Sequence, residues 1–226
     1  MSVSDLDRPV WASLRDQPHW GLGGARARRF HPDIHRFAAT PDETPDSLAA
    51  LHALVQAGDD SVYLAQVPPV MVPSGLEVVK AASAVQMVAS RRLDADDNVQ
   101  VLDDADAPEM LALAQLTEPG PFLARTHTMG RFIGLRINGQ LAAMAGERMR
   151  FAGHVEVSGV CTHPDFRGRG LARRLSAAVT AHIQHRGALP FLHAWTTNTA
   201  AISLYESLGY KMRATVNIAL LRRGPA

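Results

Sequence analysis

From His163 to Leu175 the chain reads HPDFRGRGLARRL: two glycines one residue apart among four arginines, with apolar stretches on either side. Anion binding is the chemistry such a segment can do. Leu171, Leu175, Val179 and Ile183 recur at helical spacing, so a helix starts close to Gly170 and the glycines lie in the turn that feeds it. A helix N-terminus exposes unpaired N–H groups and the positive end of the helix dipole, and glycine lets an anionic ligand approach that backbone. Arg167, Arg169, Arg173 and Arg174 add charge, but only some of them can face one ligand. A strand-to-helix turn with solvated arginines is the competing reading of the same residues. No Gly-Lys-Ser/Thr closes a Walker loop here, and the G-x-G-x-x-G spacing of a dinucleotide site is missing.

Other concentrations of reactive side chains are weaker. HWGLGGARARRFH, residues 19–31, also combines glycine and arginine, but without a flanking strand and helix it reads as loop. His154, His163, His182, His185 and His193 invite a zinc reading; no HExxH motif is present and no carboxylate pairs with them obviously, so no metal is expected. Cys161 is the single cysteine, which excludes an intrachain disulfide and a cysteine zinc site and makes a reducing cytoplasm the expected location.

The elements that must position the loop follow from pattern and punctuation. The first 43 residues show little periodicity beyond a short amphipathic PVWASLRD. TPDSLAALHALVQAG reads as a helix capped by Asp46 or Ser47 and stopped at Gly58. SVYLAQ, LEVVKAAS and AVQMVAS read as short strands, and polar RRLDADDN, residues 91–98, as a linker. Beyond it the order becomes β-α-β-β-β-α-β-α-β, with Asn138-Gly139 as a hairpin turn. Two domains are expected, 1–97 and 98–226. With 46% hydrophobic and 20% charged residues the composition is that of a globular protein. A net charge of +1 from 23 basic and 22 acidic side chains argues against coating nucleic acid or an anionic membrane. The N-terminus lacks an apolar core behind a basic start and no run of eighteen apolar residues occurs, so neither secretion nor a membrane span is expected.

Arg167-Gly168-Arg169-Gly170-Leu171-Ala172 meets the Q/R-x-x-G-x-G/A signature, and NTAAISLYESLGY, from Asn198 to Tyr210, fits the run N-x-x-A-x-x-L-Y-x-x-L-G-F/Y. Glu156 stands eleven positions before Arg167, on a strand. In these three features the chain resembles the GNAT superfamily of acyl-CoA-dependent N-acetyltransferases over residues 98 to 223. The segment GVCTHPDFRGRGLARRL is most similar to the glycine N-acyltransferase-like branch. The resemblance implies an α/β (α+β) fold: a mixed, mostly antiparallel central sheet flanked by helices, with an N-terminal α/β region that fits a degenerate copy of the same fold.

What it implies for chemistry is residue-specific. The loop Arg167, Gly168, Arg169, Gly170, Leu171 and Ala172 would hold the coenzyme A pyrophosphate through backbone N–H groups. Asn198 and Ala201 would serve the pantetheine arm. Ser158, Gly159 and Val160 would form a strand bulge, with the Val160 N–H on the thioester oxygen and Cys161 and Thr162 flanking the cofactor. Cys161 reads as a small buried side chain rather than an acyl carrier. Glu156 would take the amine's proton, directly or through water, provided its environment raises its pKa. Tyr205 would protonate the departing thiolate.

The expected activity is acetyl transfer from acetyl-CoA to a primary amine of a small molecule, an amino acid derivative or a peptide. No nucleic-acid or membrane partner is expected, and a homodimer is compatible. A catalytically silent acyl-CoA-binding module would use the same loop.

Overall fold

The computed structural model describes residues 4–58, 60–96 and 98–224. These fall into two compact units. The first takes the chain up to Pro32, Arg36–Val85 and the residues from Ala214 onward; the second takes Asp33–His35 and Gln86–Arg213. Along the chain the grouping changes after Val85 and after Arg213.

In the first unit, helix α1 (Pro9–Asp16) is the amphipathic PVWASLRD, opened by Pro9 in its first turn. Strands β1 (Gly21–Gly23), β2 (Arg28–Phe30) and β3 (Ala38–Ala39) form a small antiparallel sheet. The stretch expected as loop at 19–31 is thus mostly a hairpin, whose strands are too short to carry a periodicity signal. Helix α2 (Pro45–Leu54) is capped by Thr44, whose hydroxyl accepts from the Ser47 N–H, rather than by Asp46 or Ser47. Strand β4 (Ser61–Gln66) matches expectation. β5 (Leu76–Ala89) is a single 14-residue strand where two short ones were expected. The core gathers Leu51, Val55, Val62, Leu64, Leu76 and Leu221.

The second unit follows the expected order: β6 (Gln100–Leu102), α3 (Ala107–Thr117), β7 (Phe132–Ile137), β8 (Gln140–Phe151), β9 (His154–Thr162), α4 (Leu171–His185), β10 (Leu189–Trp195), α5 (Thr199–Ser207) and β11 (Tyr210–Arg223), whose later part belongs to the first unit. Its strands lie in the order β5-β10-β9-β8-β7-β6. β6, β7, β8 and β9 pair antiparallel, and β9 with β10 is parallel. Asn138 (φ 51°) and Gly139 (φ 81°) make the tight turn between β7 and β8. In the first unit β11 pairs antiparallel with β4. Residues 92–96, read as linker, form neither helix nor strand. Among the described residues, no helix is long and apolar enough to cross a membrane.

Candidate functional site

Two irregularities in the sheet of the second unit create the site. Between the pairs Gly146–Ser158 and Met144–Cys161, β9 places Gly159 and Val160 opposite the single residue Ala145, which is a β-bulge. Gly159 has φ 63°, and a Cβ there would meet the Phe132 ring at 2.8 Å. Only glycine meets both demands. The second irregularity is the parallel ladder, which runs through Leu189–His154, Pro190–Val155 and Phe191–Glu156 and ends there, while β9 continues to Thr162 and β10 to Trp195. The bulge lies beyond the last pair.

The strand leads into the arginine-glycine loop. His163 caps a short turn over Pro164–Phe166, accepting from the Asp165 N–H. Gly168 (φ 76°) and Gly170 (φ 71°) are both left-handed, and a Cβ on either would meet nothing within 4 Å. α4 starts at Leu171 with no side chain capping it, so the N–H groups of its first turn face outward. The arginines divide. Arg174 is committed to Asp96, at 2.5 and 3.2 Å, and to the Asn98 carbonyl. Arg167, Arg169 and Arg173 are exposed, with Arg169 over the Phe166 ring.

Asn198 caps α5: its Oδ1 accepts from the Ala201 N–H at 3.1 Å, so the residue pair spaced for ligand binding also starts this helix. About two turns beyond Asn198, Tyr205 is 8% exposed beside Tyr210, and its hydroxyl has no hydrogen-bond partner among the described residues. Burial pushes its phenol up to about 12, so it stays protonated. Burial also pushes the Cys161 thiol up to about 11, which leaves little thiolate for covalent chemistry.

Glu156 departs from the expectation. Its carboxylate is 1% exposed and accepts from Arg148 Nε and Nη2, both at 2.7 Å, and from His193 Nδ1 at 2.7 Å. Burial alone would raise its pKa, but the Arg148 charge and hydrogen bonds, then those of His193, hold it well below the usual carboxylate range. The condition for a direct general base is therefore not met: the group is ionised, weakly basic and already bonded. The surrounding chain has a fixed polarity. Arg213 donates to Gln86 Oε1, so the Gln86 amide donates to His193 Nε2, and His193 Nδ1–H is left to donate to Glu156. His35, fully buried, is kept neutral by burial and by Arg148, whose Nη1 lies 3.4 Å from its Nε2.

Sequence reasoning missed Arg148, Gln86 and His35 and gave His193 no role beyond a weak zinc candidate. Arg148 was within reach of it, since a tight hairpin at Ala152-Gly153 brings β8 and β9 side by side. Gln86 and His35 come from distant sequence and carried no signal. Among the described residues no group of three or more His, Cys, Asp or Glu could hold a metal ion.

Residues 132–218 match the family described as FR47-like protein. A mycothiol acetyltransferase from Thermobispora bispora is 39% identical over 105 residues, 46% of this chain and 33% of its own, so this chain spans about a third of that relative's length. The [ribosomal protein bS18]-alanine N-acetyltransferase of Escherichia coli is 27% identical over 56% of this chain and 85% of its own. A crystal structure from Novosphingobium aromaticivorans, described as an acetyltransferase of the GNAT family, superposes with TM-score 0.93 and 43% identity over 99% of this chain and 100% of that one. A GCN5-related N-acetyltransferase from Kribbella flavida shares the fold at TM-score 0.67 and 19% identity, over 100% and 98% of the two chains.

Proposed function

This chain belongs to the GNAT family, and from that premise we propose that it transfers an acetyl group from acetyl-CoA to a primary amine by direct attack in a ternary complex. The observation that carries the proposal is the pairing, within one unit, of an uncapped helix start behind two left-handed glycines with a bulged strand at the end of a parallel ladder.

The pyrophosphate would rest on the backbone N–H groups from Gly168 to Ala172, and Asn198 and Ala201 would meet the pantetheine arm. The Val160 N–H, at the bulge between the Ser158 and Cys161 pairs, would bond the thioester oxygen and stabilise the charge that develops there. Cys161 and Thr162 contribute backbone beside it. The amine attacks the carbonyl carbon, the C–S bond breaks, and the thiolate takes the Tyr205 hydroxyl proton. Glu156 serves as the buried anion that anchors Arg148 and His193, and the amine's proton leaves through solvent.

The acceptors in the relatives' names, mycothiol and an alanine of ribosomal protein bS18, leave both small molecules and peptides in scope. Assignment of the transfer to residues 98–226, of residues 1–97 to a degenerate copy, and of the chain to the glycine N-acyltransferase-like branch are parts of the same proposal. Thiol release from acetyl-CoA with a panel of amines tests it. Tyr205→Phe should lower kcat about 100-fold with CoA affinity retained; CoA binding without turnover on any amine would instead favour a silent binding module.

A further inference from the structure

The parallel ladder between β9 and β10 has its last pair at Phe191–Glu156, and both strands run on past it. Where a ladder exists, backbone hydrogen bonds hold neighbouring strands about 4.8 Å apart. Beyond this pair another contact has to set the gap, and a side-chain bond is in position to do so. Glu156 stands opposite Phe191, and His193 lies two residues further along β10 on the same face of the sheet. His193 Nδ1 donates to Glu156 Oε1 at 2.7 Å. This bond runs diagonally, from the last paired residue of β9 to the first residue on that face of β10 beyond the ladder.

The bond is braced on both sides. Strands β5, β10, β9 and β8 are neighbours in that order, and each contributes one side chain to a row across the sheet. Gln86 donates to His193 Nε2 at 3.1 Å, His193 donates to Glu156, and Arg148 holds both carboxylate oxygens at 2.7 Å. Glu156 is 1% and His193 10% exposed, so water competes little for the bond between them. The bulge at Gly159 and Val160 begins three residues past Glu156. The Glu156–His193 bond therefore crosses at the closed end of the gap between β9 and β10, next to the segment assigned above to the thioester.

We infer that His193 is a positioning residue for the coenzyme A arm: its bond to Glu156 sets how far β9 and β10 stand apart where the ladder stops, and so the width of the slot between them. This rests on the coenzyme A reading above. Two variants isolate the bond. His193→Phe keeps a planar ring and leaves Glu156 paired with Arg148, so no buried carboxylate is stranded. His193→Asn returns an N–H donor near the place of Nδ1. The test is calorimetric titration with CoA and with ADP, which carries a pyrophosphate but no pantetheine arm. His193→Phe should weaken CoA binding about tenfold and leave ADP unchanged, and His193→Asn should bring CoA affinity back to within about threefold of the parent. Val179→Ala, a truncation of a buried α4 side chain, should lower the urea midpoint and leave CoA affinity unchanged. Unaltered CoA affinity in His193→Phe, an Asn variant as weak as the Phe variant, or a loss shared by ADP or by Val179→Ala overturns the inference. The same titrations separate it from the reading it rests on. The expected pattern without turnover of acetyl-CoA on any amine would uphold the slot and sink the transferase reading, and a parent protein that does not bind CoA would sink both.

Discussion

Two stretches of this chain share a composition and differ in use: HWGLGGARARRFH in the first unit and HPDFRGRGLARRL in the second. In the first, the arginines are spent internally. Arg26 pairs with Asp46, Arg28 donates to the Leu14 carbonyl, and buried Arg29 holds Asp60 at 2.5 and 3.0 Å and the Leu54 carbonyl at 3.0 Å. Two of its three glycines are filled in as well, Gly24 being open: a Cβ on Gly21 would meet Leu14, and one on Gly23 the Ala27 carbonyl. In the second stretch the glycines face open space and three of the four arginines face solvent. Glycine and arginine therefore mean packing in one place and an open anion cradle in the other, and what separates them is whether a helix start follows.

Substitutions should split along that line. The largest effect on stability belongs to Arg29→Met, which strands Asp60 with part of its charge buried and should cost about 3 kcal/mol in urea unfolding, while leaving CoA affinity of the folded fraction unchanged. The same pair sets a pH response. The Arg29 hydrogen bond outweighs burial and holds the Asp60 carboxyl below its usual value, so its contribution is present above the ordinary carboxylate range and is lost as pH falls through the lowered native value. Arg29→Met should accordingly flatten the acid limb of a melting-temperature profile; an unchanged limb would count against the pairing. Next comes Gly170→Val, which should weaken CoA binding at least tenfold, about 1.4 kcal/mol, by strain at φ 71° and by crowding the approach to the helix start. Equal CoA affinity there would remove the loop from the site. Arg173→Met should be smallest, within about 0.5 kcal/mol in stability, with at most a few-fold, salt-sensitive loss of CoA affinity.

The catalytic steps give a further check on the second stretch's unit. With the amine's proton leaving to solvent, kcat/KM should rise with pH and level off near the acceptor's own amine pKa, about 8 for an α-amine. A plateau set by the enzyme and independent of the acceptor would restore a protein base.

The order of elements in the second unit was legible because α4 and α5 run into Gly187 and Gly209, α3 stops before Pro119, and Asn138-Gly139 marks the turn between β7 and β8. The loop was legible for the same reason and the bulge at Gly159 through the family resemblance, whereas Asn198 was read only as a pantetheine residue and not as the cap it forms. What escaped was set by tertiary pairing. Thr44 rather than Asp46 caps α2, and β5 continues through a stretch that looked like two strands. The ionisation of Glu156 depends on Arg148 eight residues away, on His193 across the sheet, and on Gln86 and Arg213 behind it. A sequence shows that a carboxylate lies on a strand, but not that a guanidinium will close over it.

The bulge at Gly159 and Val160 also shifts the frame of the pleat. Gly146 and Met144 share one face of β8, so their partners Ser158 and Cys161 share one face of β9 although three positions apart. Plain alternation would have put Val160 and Thr162 there instead. The extra residue is thus what brings Cys161, rather than Val160, opposite Met144 and into the apolar cluster with Met110 and Leu113. Deleting one residue at the bulge would invert every position from there to Thr162.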